Sequence, residues 1–212
     1  MNPLDLLAPP RCVFCGCWQP ERANSICAAC FDDLPWRPRV VEKGRGRFVV
    51  RAAPLSYAFP LDAAIKALKF NRKLHYLPAF AELLRCALPE LPDDIDVIVP
   101  VPLNWRRKFV RGFNQATELA RPVARELDVP MERLAKRVKA TPFQSGLSAS
   151  ERRKNLRFAF RVPRPLTSQH VLIVDDVVTT GATANALAAE LLREGAAKTS
   201  LLTLARVTGE TG

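Results

Sequence analysis

The sequence lacks any apolar run that approaches the roughly 18 residues a transmembrane helix needs. Its first ten residues, MNPLDLLAPP, contain neither the basic segment nor the apolar segment of a secretory signal peptide. Internal repeats and low-complexity tracts are also missing. We therefore expect no membrane insertion and a soluble cytoplasmic protein, in which the 212 residues form one α/β domain with a small additional module.

Acidic residues are scarce in the middle of the chain. Residues 102–164 carry 16 Lys and Arg but only 5 Asp and Glu, whereas the rest of the chain carries 16 of each kind. This segment therefore contains the whole net charge of +11, which is the difference between 32 basic and 21 acidic residues. Such a segment attracts polyanions, namely nucleotide phosphates, pyrophosphate or nucleic acid, although a solvated basic surface has the same composition.

Four of the six cysteines form two CxxC pairs that eleven residues separate. The pairs are Cys12 with Cys15 and Cys27 with Cys30. This spacing is typical of a tetrahedral zinc site with four thiolate ligands, and it favours zinc over disulfides in a cytoplasmic chain. Because four thiolates leave no open coordination position, we predict a structural zinc ion in a ribbon-like module at residues 8–36. Cys17 is either a spare ligand or a neighbour of the site.

Strands and helices alternate through the rest of the chain. Apolar, β-branched runs predict strands at residues 95–101, 171–174 and 199–207, and a strand or a short hairpin at residues 48–57. Two shorter strands are predicted at residues 134–139 and 157–162. Apolar periodicity predicts helices at residues 61–70, 76–88, 114–127 and 182–194. The alternation predicts an α/β fold over residues 61–212, with a mostly parallel sheet and helices on both faces. Residues 37–60 are predicted as a linker and short strands.

Two local patterns refine this assignment. The polar, glycine-containing residues 37–47 predict the linker itself. On the first helix, Leu61, Ile65 and Leu68 share one face, and the two lysines Lys66 and Lys69 are expected to point elsewhere.

Two loops follow buried strands, after Val101 and after Val174, and should open at the edge of the sheet where such folds bind ligands. The second loop begins with Asp175 and Asp176, which suit the vicinal hydroxyls of a sugar or a hydrated Mg²⁺. Gly181 then permits a tight turn, and the start of the next helix offers free N–H groups to a phosphate. The alternative is a strand end whose aspartates cap nearby N–H groups, but it explains neither the doubled aspartate nor the hydroxyl-rich turn.

The motif LIVDDVVTTGAT resembles the phosphoribosyl pyrophosphate (PRPP) loop of type I phosphoribosyltransferases. The whole chain is similar to the ComF family of competence-associated proteins, which are phosphoribosyltransferase-like. This similarity rests on the CxxC pairs, on VPVPLNWRRKFVRGFNQA at 99–116, on FQSGLSASERRKNLRFAF at 143–160 and on the PRPP loop. It implies a type I phosphoribosyltransferase fold and binding of PRPP with Mg²⁺.

The resemblance also implies a role for each motif. Asp175 and Asp176 would hold the ribose 2′- and 3′-hydroxyls. The 5′-phosphate would bind to Thr179, Thr180, Gly181, Ala182 and Thr183. The pyrophosphate group would lie against a basic loop that contains Arg106, Arg107, Lys108 and Arg111, because guanidinium groups pair well with phosphate oxygens. A flap would contribute Gln144, Arg152, Arg153 and Asn155. Next to the basic loop, Asn114 and Gln115 either orient a ligand or cap the following helix.

Three functions are compatible with these residues. The first is a phosphoribosyltransferase, whose acceptor and catalytic residues the sequence does not identify. The second, implied by the ComF resemblance, is a non-catalytic protein that binds single-stranded DNA or competence and DNA-handling proteins during DNA uptake. In that case the basic segment binds along the backbone of the single-stranded DNA, and aromatic residues near this segment stack on the bases. The third is a regulator that senses PRPP without turnover.

Overall fold

A six-stranded sheet forms the centre of the structure, a computed structural model that describes residues 10–19, 25–104, 109–138 and 159–207. Its strands are β1 (Val41–Arg45), β2 (Phe48–Ala52), β3 (Leu55–Ser56), β4 (Val97–Pro100), β7 (His170–Val178) and β8 (Lys198–Arg206). The order is β1-β2-β8-β7-β4, and β3 also pairs with β8. Every pair is parallel except β1 with β2. The short strands β5 (Lys136–Arg137) and β6 (Phe160–Arg161) form a separate antiparallel pair.

Among the described residues, five α-helices whose first and last residues are defined accompany the sheet. They are α1 (Ala28–Asp32), α2 (Leu61–Asn71), α3 (Leu77–Arg85), α4 (Gln115–Leu127) and α5 (Ala182–Arg193), and two short 3₁₀ turns cover Leu74–Tyr76 and Leu88–Glu90. Within the described ranges, none of the helices has the length and apolar character needed to cross a membrane.

The two faces of the sheet carry separate apolar cores. On one face, α2, α3 and α4 cover sheet residues that include Leu172 and Leu202. On the other face, α5 covers a set that includes Val171 and Ile173. Because alternate residues of β7 enter the two cores, the strand is buried on both sides, as its unbroken apolar sequence indicates. The predicted α/β architecture with helices on both faces is confirmed.

The strand predicted at residues 171–174 is longer than the sequence indicates. β7 continues to Val178, because β8 is also nine residues long and keeps the ladder paired from His170 with Lys198 to Val178 with Arg206. Asp175, which pairs with Thr203, therefore lies inside the strand and not in the loop after it. The turn before α5 is correspondingly short.

The segment predicted as a linker is partly a strand. Val41–Arg45 forms β1, because the hairpin that it makes with β2 extends the sheet from the edge of β8. The cysteine-containing segment also packs on the larger core, to which Cys12, Ile26 and Leu34 contribute. In addition, the Ser25 backbone N–H donates to Glu82 Oε2 of α3 at 3.1 Å.

Candidate functional site

The loops after β4 and β7 leave the same edge of the sheet, as expected. The Val101 backbone N–H donates to the Val174 carbonyl at 2.9 Å, so the chain beyond β4 starts beside Asp175. Asn114, at the end of the loop after β4, is tied to the start of that loop, because its Nδ2 donates to the Val101 carbonyl at 3.0 Å. Its Oδ1 accepts the Ala116 N–H at 3.2 Å, so Asn114 is the cap of α4.

Asp175 and Asp176 form a carboxylate pair at this edge. Asp176 is buried, with 5% of its surface exposed, and forms an ion pair with Lys69 of α2. Its backbone N–H donates to Asp175 Oδ1 at 2.9 Å. Burial, followed by the adjacent Asp176 charge, raises the pKa of Asp175 well above its usual value, although Lys69 opposes the shift. A bound cation, or sugar hydroxyls that donate to the pair, would therefore favour the ionised form of both carboxyl groups.

Lys69 is a site residue that the sequence analysis missed. It was expected to point away from the core, but its side chain is largely buried against Asp176. The predicted apolar face of α2 is correct, since Leu61, Ile65 and Leu68 are all buried. Lys69 follows Leu68 directly and lies one turn after Ile65, at the border of that face. A lysine at such a border can reach across the buried face, but the sequence does not show that Asp176 is its partner.

The turn before α5 has the features of a phosphate site. Gly181 adopts φ of +72°, a left-handed conformation that favours glycine, and begins the helix without a side-chain cap. The Ala182 N–H contacts Thr180 Oγ1 at 3.3 Å, and Asn185 Nδ2 donates to the Gly181 carbonyl at 3.1 Å. The first turn of α5 contains no acidic residue. Its N–H groups and positive dipole end are therefore suited to an anion.

The structure describes only part of the basic loop and none of the flap. Arg106, Arg107 and Lys108, together with the flap residues Gln144, Arg152, Arg153 and Asn155, lie outside the described residues. The guanidinium of Arg111 lies 5.4 Å from the centre of the Phe70 ring. One residue away, the Val110 carbonyl accepts a hydrogen bond from Arg72 at 2.6 Å. The end of the basic loop is thus held at the last turn of α2, the helix that carries Lys69.

Comparisons with known proteins agree with this geometry. The family model described as "Phosphoribosyl transferase domain" matches residues 114–211, from α4 to beyond β8. The DNA utilization protein YhgH of Escherichia coli (strain K12) is 42% identical over 159 residues, which cover 71% of this chain and 69% of that protein. Competence protein F of Haemophilus influenzae is 33% identical over 209 residues, which cover 93% of this chain and 85% of that protein.

The chain belongs to the ComF family. Competence protein ComFC of Bacillus subtilis is also similar, at 30% identity over 199 residues, which cover 92% of this chain and 77% of that protein. The family resemblance inferred from the sequence motifs is therefore confirmed.

The ComF-family chain also has a cysteine cluster that fits a metal ion. The Sγ atoms of Cys12, Cys15, Cys17 and Cys27 all lie within 4.8 Å of one another. Backbone N–H groups point at two of them, since the Cys27 N–H contacts Cys12 Sγ and the Cys30 N–H contacts Cys27 Sγ, each at 3.4 Å. Four sulfur donors at this separation suit a tetrahedral soft metal such as zinc.

The structure adds Cys17 to the predicted ligands of this cluster. The predicted ligand Cys30 is not in the closest group of four, but it is adjacent to that group. Burial, and then contacts with the thiols of Cys15, Cys27 and Cys12, raise the pKa of Cys30. The pKa of Cys15 is lowered to about 6, because the backbone and then the side chain of Cys17 donate to its sulfur. Five thiols therefore share the site, and zinc held by Cys12, Cys15, Cys27 and Cys30 stays a prediction.

A serine, a histidine and an aspartate also meet at the opposite edge of the sheet. His170 Nε2 lies 2.9 Å from Ser200 Oγ, and His170 Nδ1 lies 2.7 Å from Asp94 Oδ1. Ser200 is completely buried, so its hydroxyl cannot meet a substrate. Asp94 also pairs with Lys198, and the network joins the amino-terminal ends of β7 and β8. This arrangement stabilises the fold and is not an active site.

Proposed function

We propose that the chain binds PRPP together with Mg²⁺ at the carboxyl edge of β4 and β7. The observation that carries this proposal is the proximity of two unlike sites on one short segment. The Asp175–Asp176 pair is suited to hydroxyls and cations, and the uncapped start of α5 at Gly181 is suited to an anion. A ribose with a 5-phosphate carries both hydroxyls and an anion on one small molecule, and the fold is that of the phosphoribosyl transferase domain.

Each part of the site has a distinct role in this proposal. Asp175 and Asp176 accept hydrogen bonds from the ribose hydroxyls, while Lys69 balances the charge of Asp176. The Thr180–Thr183 turn holds the 5-phosphate through N–H groups and hydroxyls. The basic loop that ends at Arg111 faces the diphosphate, whose charge Mg²⁺ reduces when it is bound.

The same arrangement supports transfer of the phosphoribosyl group to an acceptor. A nucleophile would form a bond to the anomeric carbon while the carbon–oxygen bond to the diphosphate breaks, and the diphosphate would leave with the bonding electrons. Fixed charges at both ends of the sugar favour such a displacement more than a dedicated base does.

Calorimetric titration with PRPP tests the binding proposal. We expect one site that requires Mg²⁺, with affinity at least tenfold higher for PRPP than for ribose 5-phosphate, which lacks the diphosphate. Lys69→Met should weaken PRPP binding at least tenfold, because it leaves the diacid uncompensated. Lys66→Met, on the same helix but paired with Asp62 at the surface, is the matched control and should bind normally. Absence of PRPP binding in the wild type would refute the proposal.

A second function, binding of single-stranded DNA, is favoured by an exposed aromatic surface at the same edge. Phe70 and Phe109 are 71% and 85% exposed, and the cations Arg72 and Arg111 accompany them. Exposed aromatic rings beside arginines form stacking platforms for unpaired bases. The relatives' names, which mention DNA utilization and competence, support this second candidate.

Fluorescence anisotropy with a labelled oligothymidylate tests this function. We expect an affinity that falls steeply between low and moderate salt, because bound phosphates release counterions. The double change Phe70→Ala/Phe109→Ala should weaken binding by about thirtyfold or more, since stacking contributes about 1–3 kcal/mol per base. Phe59→Ala, an equally exposed phenylalanine before the other end of α2, is the control and should have little effect. No binding at low salt, or equal losses in both variants, would count against a stacking surface.

A further inference from the structure

The carboxyl end of α2 contacts both halves of the proposed PRPP site. Lys69, in the last turn of this helix, forms the ion pair with the diacid. Phe70 follows it directly, and the Arg111 guanidinium lies 5.4 Å from the centre of its ring. Arg72, the residue that caps the helix, donates from Nη2 to the Val110 carbonyl at 2.6 Å. The end of α2 therefore connects the diacid to the described end of the basic loop.

Arg72 has a backbone conformation that favours glycine. Its φ of +53° and ψ of +31° lie in the left-handed region, where a side chain is unfavourable. Glycine is the usual residue where a helix ends in this conformation. The contacts of the arginine side chain with the loop offset the cost of this conformation, and they are what glycine could not provide.

The side chain of Arg72 lies against the loop backbone on both sides of Arg111. Besides the hydrogen bond to the Val110 carbonyl, its Cζ and Nη2 atoms lie 3.9 and 4.0 Å from the position that a Cβ atom on Gly112 would occupy. Asn114 fixes the chain two residues later through its hydrogen bond to the start of the loop. The backbone that carries Arg111 is thus held from two directions.

We infer that Arg72 is a positioning residue, which holds Arg111 over Phe70 and through Arg111 makes the site prefer PRPP to ribose 5-phosphate. The hold on Arg111 is independent of the proposed function, whereas the preference for the diphosphate rests on it. A guanidinium pairs with phosphate oxygens through planar, forked donors, so its orientation matters as well as its charge. An Arg111 that is no longer held would keep its charge and lose this orientation.

Arg72→Gly removes the side chain at a position that suits glycine. The melting temperature should therefore stay close to that of the wild type, because relief of the left-handed conformation offsets the lost hydrogen bond. In calorimetric titrations with Mg²⁺, PRPP affinity should fall by about tenfold, the size of one charge-assisted hydrogen bond. Affinity for ribose 5-phosphate should not change. Lys73→Gln removes a charge from the adjacent exposed residue and should leave both affinities unaltered.

Nuclear magnetic resonance of the ligand-free protein tests the hold on Arg111 separately. The Phe70 ring should displace the Arg111 Nε–H signal, and this displacement should disappear in Arg72→Gly and in Phe70→Ala but persist in Lys73→Gln. A double-mutant cycle then tests whether Arg72 acts through Arg111. Once Arg111→Gln is present, Arg72→Gly should weaken PRPP binding no further.

The outcomes separate this inference from the proposed function. An Arg111 signal or a PRPP affinity that Arg72→Gly leaves unchanged would overturn the inference, and so would equal losses of affinity for PRPP and ribose 5-phosphate. Losses that multiply in the double variant would also overturn it, because Arg72 would then contact the ligand itself. A wild type that does not bind PRPP would refute the proposed function, while loss of the Arg111 signal displacement in Arg72→Gly would still support the hold on Arg111.

Discussion

Replacing Asp175 with Asn should stabilise the ligand-free protein while it weakens PRPP binding by about ten- to a hundredfold. The loss of affinity follows because a hydrogen bond to a charged group contributes about 1.5–3 kcal/mol. The gain in stability follows because the folded protein raises the pKa of Asp175, so this carboxyl group lowers the free energy of unfolding at pH values above its usual pKa. Thermal unfolding with and without PRPP and Mg²⁺ measures both effects on one sample.

The sign of the pH dependence follows from the same shift. Between the usual aspartate pKa of about 4 and the raised value, the folded state binds more protons than the unfolded state. The contribution of Asp175 to the free energy of unfolding therefore decreases as pH rises through this range, and Asp175→Asn should remove that decrease. PRPP affinity should rise with pH over the same range, as the ionised carboxylate becomes available.

Asp176→Asn is the informative comparison because its effect on stability should have the opposite sign. It breaks the ion pair with Lys69 and leaves a largely buried lysine without its partner. Removal of one member of a buried pair typically costs about 3–5 kcal/mol. A stabilised Asp175→Asn protein with unchanged PRPP affinity would contradict the assignment of the carboxylates to the ribose. A stabilised Asp176→Asn protein would show that the ion pair between Lys69 and Asp176 does not stabilise the fold.

Removal of the metal from the cysteine cluster should produce the other large effect. The described part of the segment around it has one short helix and few large apolar residues, so a bound metal would supply much of its folding free energy. Cys12, Ile26 and Leu34 belong to the core beneath α3, and loss of the metal would therefore also expose part of that core. A loss of about 4 kcal/mol would lower the melting temperature by about 8–16 °C.

Metal analysis and thermal unfolding of protein purified under reducing conditions check this prediction. The wild type should contain one zinc ion per chain, and a strong chelator or Cys12→Ser should remove it and lower the melting temperature. Cys86→Ser, outside the cluster, should change neither quantity. Comparison of Cys17→Ser with Cys30→Ser shows which thiol completes the set. Zinc-free wild-type protein with an unaltered melting temperature would contradict a structural metal.

Local sequence patterns were sufficient to predict most strands of the sheet, the main helices and the glycine turn before α5. The apolar run before Asp175 predicts a strand that is buried on both faces, and the glycine at position 181 predicts the turn into α5. Asn114 is the predicted cap of α4. These features depend on residues within a few positions of one another, so their patterns are readable without a structure.

Features that depend on distant residues could not be predicted in this way. Lys69 reaches Asp176 across more than a hundred residues of sequence, and Glu42 forms ion pairs with Arg37, Arg51 and the distant Arg206. The length of β7 was also underestimated. The strand ends where its pairing with β8 ends, which is four residues beyond the end of the apolar run. Similarly, the polar composition of residues 37–47 conceals β1, which is held in the sheet by β2.

The central claim is that one edge of the sheet binds the ribose of PRPP through Asp175 and Asp176 and its 5-phosphate through the turn at Gly181. A crystal structure of the protein with PRPP and Mg²⁺ tests this claim most directly. We predict electron density for the 5-phosphate at the N–H groups of residues 181–183 and for the ribose hydroxyls within hydrogen-bonding distance of both carboxylates. PRPP bound elsewhere, or no PRPP density at saturating concentration while Asp176 keeps its contact with Lys69, would contradict it.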